Sequence, residues 1–137
     1  MRRRYILDTN AASDLFYRRR GVFERAMAHQ KLGAKIGTCP PVIGELYSGA
    51  ESSSTRDRNI AALNKGMRGL IVWPFHTPEA ILFGSLLATL KRLGRPMQVV
   101  HVQLAAVAFS LGNCTVVTSD SDLSAIPGLR VENWADG

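Results

Sequence analysis

The chain of 137 residues is the length of one domain and is long enough to bury a hydrophobic core. Hydrophobic residues make up 46% of it, but no run approaches the ~20 apolar residues that a membrane span needs. The formal net charge of +6 favours anionic partners such as nucleic acid or an acidic protein. Cys39 and Cys114 lack metal-ligand spacing and are predicted to be small buried residues in a reducing cytoplasm. We therefore expect a single cytoplasmic domain over residues 1–137, without a membrane partner.

Apolar runs alternate between strand and helix patterns along the whole chain. In chain order the predicted elements are strand Arg4 to Asp8, helix Thr9 to Arg20, helix Val22 to Leu32, strand Lys35 to Cys39, helix Pro41 to Ser52, helix Ser54 to Gly66, strand Leu70 to Trp73, helix Thr77 to Leu93, helix Gln98 to Leu111, strand Thr115 to Thr118, a short helix or turn Asp120 to Ala125, and strand Leu129 to Val131. This alternation predicts an α/β fold with a central parallel sheet of four to five strands, flanked by helices in three layers.

Two further local patterns complete this prediction. Thr77 is predicted to be the N-cap of its helix, because Pro78 and Glu79 suit the first turn that follows. His29 and His76 belong to no motif and are predicted to lie at the surface.

Acidic residues follow two of the predicted strands. Asp8 ends the first strand, whereas Asp120 and Asp122 follow the strand Thr115 to Thr118. In an open parallel sheet, ligands bind beyond the carboxyl ends of the strands where the strand order reverses. If the order reverses between these two strands, the three carboxylates meet at one place. The alternative is local: Asp8 or Thr9 caps a helix, and Asp120 belongs to a polar turn.

A fourth acid, Glu45, interrupts an otherwise apolar helical face and is either a solvated helix residue or a fourth member of the cluster. With Asp8, Glu45, Asp120 and Asp122 set aside, seven acids remain against 17 bases, so the rest of the surface would attract a phosphate polymer. Asp120 and Asp122, with the hydroxyl groups between them, form a dense set of oxygen ligands.

Five segments together resemble the PIN-domain family and, within it, the VapC-type toxins. They are Leu-Asp-Thr-Asn from Leu7, Gly-Glu-Leu from Gly44, Gly-Arg-Pro from Gly94 before a helix with Ala105 and Ala106, Val-Thr-Ser-Asp from Val117, and the stretch from Gly128 to Trp134. Each segment alone is weak, but they occur in order at suitable spacing over nearly the whole chain.

The resemblance implies a PIN-like fold and a metal-dependent endoribonuclease toxin that cleaves RNA phosphodiester bonds with Mg²⁺ or Mn²⁺. It also implies a homodimer and a VapB-like antitoxin protein that lays a C-terminal segment across the active site. By residue, it implies that Asp8, Glu45 and Asp120 are catalytic metal-site acids, that Asp122 is an additional metal-site acid, and that Thr9, Asn10 and Thr118 are polar residues lining the site.

The chain departs from the family pattern at His101. The resemblance places a metal-site aspartate here, at the start of the buried helix, and we count His101 among the catalytic residues. The histidine can be a neutral ligand that favours Mn²⁺ over Mg²⁺, a change that weakens the nuclease, or a substitution made to disable a toxic enzyme.

Three rival functions remain. The first is a catalytically impaired PIN domain that acts as an RNA- or antitoxin-binding module. The second is a flap-type DNA nuclease, for which the chain lacks room for large insertions. The third is a receiver-like phosphate-transfer domain, which would need a lysine soon after a late strand, and none follows Val117 or Val131 closely.

Overall fold

The computed structural model describes residues 2–137, so Met1 of the predicted 1–137 domain lies outside the described residues. It contains a five-stranded parallel sheet in the order β3-β2-β1-β4-β5, flanked by helices. The elements in chain order are β1 Arg4–Leu7, α1 Thr9–Phe16, α2 Val22–Lys31, β2 Lys35–Thr38, α3 Pro40–Glu51, α4 Arg56–Met67, β3 Ile71–Val72, α5 Thr77–Arg92, α6 Val99–Leu111, β4 Cys114–Val117, a 3-10 helix Ser121–Ala125, and β5 Arg130–Glu132. The predicted fold class is confirmed.

The central strand β1 and its neighbour β4 are buried on both faces. Tyr5, Ile6 and Leu7 of β1 lie in the core, and every residue of β4 is buried. This is typical of a parallel sheet whose crossover helices cover both faces. β1 pairs with β4 in register from Arg4 and Cys114 to Leu7 and Val117, so both strands end at the same edge. In the order β3-β2-β1-β4-β5 the sheet reverses between β1 and β4, which is the condition under which the acids after these strands come together.

The first helix is shorter than predicted. It ends at Phe16 instead of continuing to Arg20. Arg18 and Arg20 both have positive φ, at 55° and 58°, and a left-handed backbone cannot continue a right-handed helix. Apolar periodicity does not report this turn, because arginine gives no local signal for it.

Two local predictions are wrong. His76, not Thr77, is the N-cap of α5, and its backbone N–H donates to Glu79 Oε1 at 2.7 Å. His29 is not a simple surface residue: its ring is half-buried, with its centroid 4.6 Å from that of Tyr5 and 4.7 Å from that of Trp134. This stack ties α2 to β1 and the C-terminal segment. His76 is exposed, as predicted.

Within residues 2–137, no helix is both long enough and apolar enough to span a bilayer.

Candidate active site

Asp8 forms the floor of a pocket at the shared edge of β1 and β4. Its side chain is the N-cap of α1, where Oδ1 accepts from the Ala11 N–H at 2.8 Å, and Oδ2 accepts from the Thr118 hydroxyl. Asp8 is only 1% exposed, and this burial raises the pKa of its carboxyl although both hydrogen bonds oppose the rise. The local and the functional interpretations of Asp8 are therefore compatible, since one oxygen caps the helix while the carboxylate faces the pocket.

Thr118 connects Asp8 to Asp120. Its hydroxyl donates to Asp8 and accepts from the backbone N–H of Asp120 at 2.9 Å. The Asp120 Oδ1 atom in turn accepts from the Asp122 N–H at 2.9 Å and caps the 3-10 helix. One buried hydroxyl thus fixes the relative position of the acids that follow two neighbouring strands.

Glu45 reaches the same pocket from α3. It lies on the exposed side of that helix, and its Oε1 accepts from the hydroxyl of Thr9, the first residue of α1. The wall that Glu45 forms is more open to solvent than the floor formed by Asp8.

His101 enters from the first turn of α6 and is 7% exposed. Its Nε2 lies 3.9 Å from Asp8 Oδ2 and 4.0 Å from Asp120 Oδ2, which is too far for hydrogen bonds. Its Nδ1 is buried and has no hydrogen-bond partner among residues 2–137. Buried polar atoms without a hydrogen-bond partner are rare in folded proteins.

The pocket has a volume of about 430 Å³ and contains most of the predicted site residues. It is lined by Asp8, Thr9, Asn10, Glu45, Ser48, Gln98, His101 and Asp120.

Two predicted residues do not line it: Thr118 acts from beneath through its hydrogen bonds, and Asp122 is exposed on the 3-10 helix. Two lining residues were missed. Ser48 and Gln98 each lie three residues from a predicted site residue, Glu45 and His101, and helical spacing could have placed Ser48 beside Glu45.

A larger cavity, of about 590 Å³, lies beside Arg2, Arg3, Tyr5 and His29 and has no acidic residue in its lining. The 430 Å³ pocket is therefore the better candidate for metal chemistry, although it is smaller.

The side chains of this pocket suit a divalent cation that keeps several water ligands better than one coordinated by protein atoms alone. Within the described residues, no three His, Cys, Asp or Glu side chains form a ready-made metal cluster. Mg²⁺ does not require one, since it commonly keeps several waters and is held by one or two carboxylates. Asp8 and Asp120 supply oxygen ligands, and a cation would offset the burial of the Asp8 carboxylate. The residues therefore fit an open site.

Comparison with known proteins identifies the same family that the motifs resemble. The PIN domain family matches residues 5–129. Ribonuclease VapC2 of Haemophilus influenzae is 28% identical over 131 residues, which cover 96% of this chain and 98% of that protein. The tRNA(fMet)-specific endonuclease VapC of Salmonella typhimurium is 34% identical over 90 residues, covering 66% of this chain and 68% of that protein.

Solved structures have the same architecture. The crystal structure of DNA-bound VapBC from Salmonella typhimurium contains a chain that matches with a TM-score of 0.87 and 29% identity. The match covers 98% of this chain and 100% of that chain, so the similarity extends over the whole domain.

Proposed function

Because this chain belongs to the PIN-domain family and, within it, to the VapC branch, we propose that it is a metal-dependent endoribonuclease toxin that cleaves RNA phosphodiester bonds. One observation carries the proposal: the buried carboxylate of Asp8 lines one pocket with Asp120 and Glu45, in a chain of net charge +6. The positive surface would attract the RNA backbone, and the acidic pocket would take the cation that the phosphate needs beside it.

Each residue has a distinct task in this proposal. Asp8 and Asp120 would hold Mg²⁺ or Mn²⁺, which, when bound, neutralises phosphate charge and makes a water more acidic. Thr118 is a positioning residue, since its hydroxyl holds Asp8 and the Asp120 backbone together. Asn10, Ser48 and Gln98 line the pocket with neutral donors that can bind phosphate or ribose oxygens.

We assign Glu45 and Asp122 less central tasks. Glu45 is fixed by Thr9 at the exposed wall, where a carboxylate can orient a water or reach a cation through one. Asp122 lies outside the pocket lining, so a direct ligand role would require movement of the 3-10 helix.

The chemistry at position 101 supports activity that is reduced in Mg²⁺. A neutral imidazole neither adds negative charge nor offers an oxygen ligand, and Mg²⁺ is bound mainly by oxygen. The imidazole of His101, where the family pattern has a metal-site aspartate, also favours the second candidate function, an impaired PIN domain that binds RNA or an antitoxin without cleaving RNA.

An antitoxin is the protein partner that we propose, since the Salmonella neighbour is a VapBC assembly. As the resemblance implies, a C-terminal segment of this partner would lie across the 430 Å³ pocket. A separate groove of about 380 Å³ suits an amphipathic part of the same partner, because Leu15, Phe23 and Met27 line it and Arg18 and Lys65 supply positive charge. The antitoxin would inhibit the ribonuclease and so prevent cleavage of RNA in the cytoplasm that the two share.

We also propose a homodimer. Ile81 on α5 is 70% exposed, and Gly84, Ser85 and Ala88 continue the exposed surface of the same helix with small side chains. Such a surface permits the close approach of a helix from a second copy.

The decisive experiment compares the wild-type chain with His101→Asp on total RNA in Mg²⁺ and in Mn²⁺. We expect metal-dependent cleavage that chelation abolishes, and a gain of about tenfold or more in Mg²⁺ for the aspartate variant, since a lost electrostatic contact commonly costs 10²-fold or more in rate. Asp57→Asn is the matched control, because the Asp57 side chain is 96% exposed and does not line the pocket.

RNA binding without cleavage by the wild type, with cleavage restored by His101→Asp, would support the binding-module alternative. Equal activity of both proteins in Mg²⁺ would mean that position 101 takes no part in the reaction. Cleavage by neither protein in either metal would overturn the nuclease proposal.

A further inference from the structure

The imidazole of His101 is held in place by packing alone. Nδ1 has no hydrogen-bond partner in the described part of the chain, and Nε2 lies 3.9 Å and 4.0 Å from the two nearest carboxylate oxygens. A histidine buried for purely structural reasons normally satisfies its nitrogens. Here the ring is 91% buried with neither nitrogen engaged, and Nε2 faces Asp8 and Asp120.

The separation between Nε2 and these oxygens is within the span of two bonds to a shared ion. Two metal–ligand bonds of about 2.1 Å place the ligand atoms about 3.0 Å apart in adjacent positions and about 4.2 Å apart in opposite positions. Both distances, 3.9 Å and 4.0 Å, fall between these values and outside hydrogen-bonding range. Small movements of the side chains would allow His101 and one of the two carboxylates to bind the same ion. Water molecules would complete its coordination, because no three His, Cys, Asp or Glu side chains form a ready-made cluster in the described chain.

We propose that His101 is a nitrogen ligand that makes this pocket prefer Mn²⁺ and other borderline transition-metal ions over Mg²⁺. The inference rests on the proposed function, in which the pocket binds a divalent cation. Imidazole suits transition metals, whereas Mg²⁺ is bound mainly by oxygen. The affinity will be moderate, because metal-bound histidines usually donate their second nitrogen to an acceptor and Nδ1 has none within residues 2–137.

Binding of the metal alone tests this proposal without any cleavage assay. The wild-type chain and His101→Asp are titrated with Mn²⁺ and with Mg²⁺ by calorimetry, and the Mn²⁺ complexes are examined by pulsed electron paramagnetic resonance for coupling to a directly bound ¹⁴N. His76→Ser is the matched histidine control, because His76 is exposed and serine preserves an N-cap for α5.

We expect ¹⁴N coupling in the wild type and in His76→Ser, and its loss in His101→Asp. We also expect the wild type to bind Mn²⁺ at least about tenfold more tightly than Mg²⁺, and the aspartate variant to lose about tenfold of that preference. His101→Asn serves as a second variant if the aspartate disturbs folding, and it too should lose the nitrogen coupling.

Mn²⁺ binding without nitrogen coupling in the wild type would overturn this inference while leaving a carboxylate metal site intact. Binding of Mn²⁺ only after His101→Asp would also overturn it, since His101 would then be blocking the site. Failure of all variants to bind either ion would reject the proposed metal-dependent function itself.

Discussion

The folded chain should become more stable when Asp8 is replaced by asparagine, even though this change should remove its function. Asp8 is 1% exposed, and burial raises the pKa of its carboxyl, so the ionised form destabilises the metal-free protein at neutral pH. Asparagine removes the charge and retains much of the local structure. Its carbonyl can still accept from the Ala11 N–H, and asparagine caps helices about as well as aspartate.

The expected gain is on the order of 1 kcal/mol at pH 7, within the about 0.5–2 kcal/mol that single stabilising substitutions commonly add. The raised pKa of Asp8 gives the direction of the change, because the burial of the carboxylate outweighs the opposing hydrogen bonds from Thr118 and Ala11. For a domain of this size, such a gain raises the melting temperature by a few degrees.

The pH dependence gives a sharper test than the magnitude. A carboxyl whose folded pKa lies above its unfolded pKa, about 3.9, destabilises the protein fully above the folded pKa and not at all below the unfolded one. The advantage of Asp8→Asn should therefore be absent near pH 3, should grow as the pH rises through the folded pKa, and should then level off.

Urea unfolding of the wild type, Asp8→Asn and the exposed control Asp57→Asn, in the presence of a chelator, measures this difference. Addition of Mn²⁺ should then stabilise the wild type more than Asp8→Asn, because the buried charge gains a partner only in the wild type. If Asp8→Asn is less stable at every pH, the hydrogen bonds from Thr118 and Ala11 already compensate fully for the burial, and our account of Asp8 as a destabilised functional residue is wrong.

Three further predictions concern other parts of the molecule. Thr118→Val should reduce the free energy of unfolding by about 1–3 kcal/mol in urea denaturation, because it leaves buried partners without a hydrogen bond. Thr118→Ser keeps the hydroxyl and should retain most of the wild-type stability. Equal losses in both variants would show that the methyl group of Thr118 matters instead. Asp120→Asn should lower the initial rate of RNA cleavage by about 10²-fold, and Asp122→Asn should lower it by less than about threefold. A larger loss of rate in Asp122→Asn than in Asp120→Asn would assign the functional carboxylate to the 3-10 helix. Ile81→Lys should convert the proposed dimer to a monomer in light scattering, whereas Leu32→Lys, at an 85% exposed residue elsewhere, should not. Loss of the dimer in both variants or in neither would exclude the α5 surface.

The sequence alone determined the fold class and most of the acidic site. Continuous apolar runs such as Tyr5 to Leu7 define buried parallel strands, and an acid placed directly after such a strand must lie at the carboxyl edge of the sheet. Local periodicity and the end of a strand are enough to place Asp8 and Asp120 each at the carboxyl edge of the sheet, but their meeting in one pocket depended on β1 and β4 being neighbours.

Contacts between distant segments decided the rest. Gln98 lines the pocket and Asp122 does not, because of the directions taken by the start of α6 and by the 3-10 helix after β4. No periodic pattern in the sequence encodes these directions. The stacking of His29 on Trp134 joins residues more than one hundred positions apart. Most importantly, the missing partner of His101 Nδ1 is a property of everything packed around the ring, so only the tertiary structure could reveal that this imidazole is buried with neither nitrogen hydrogen-bonded.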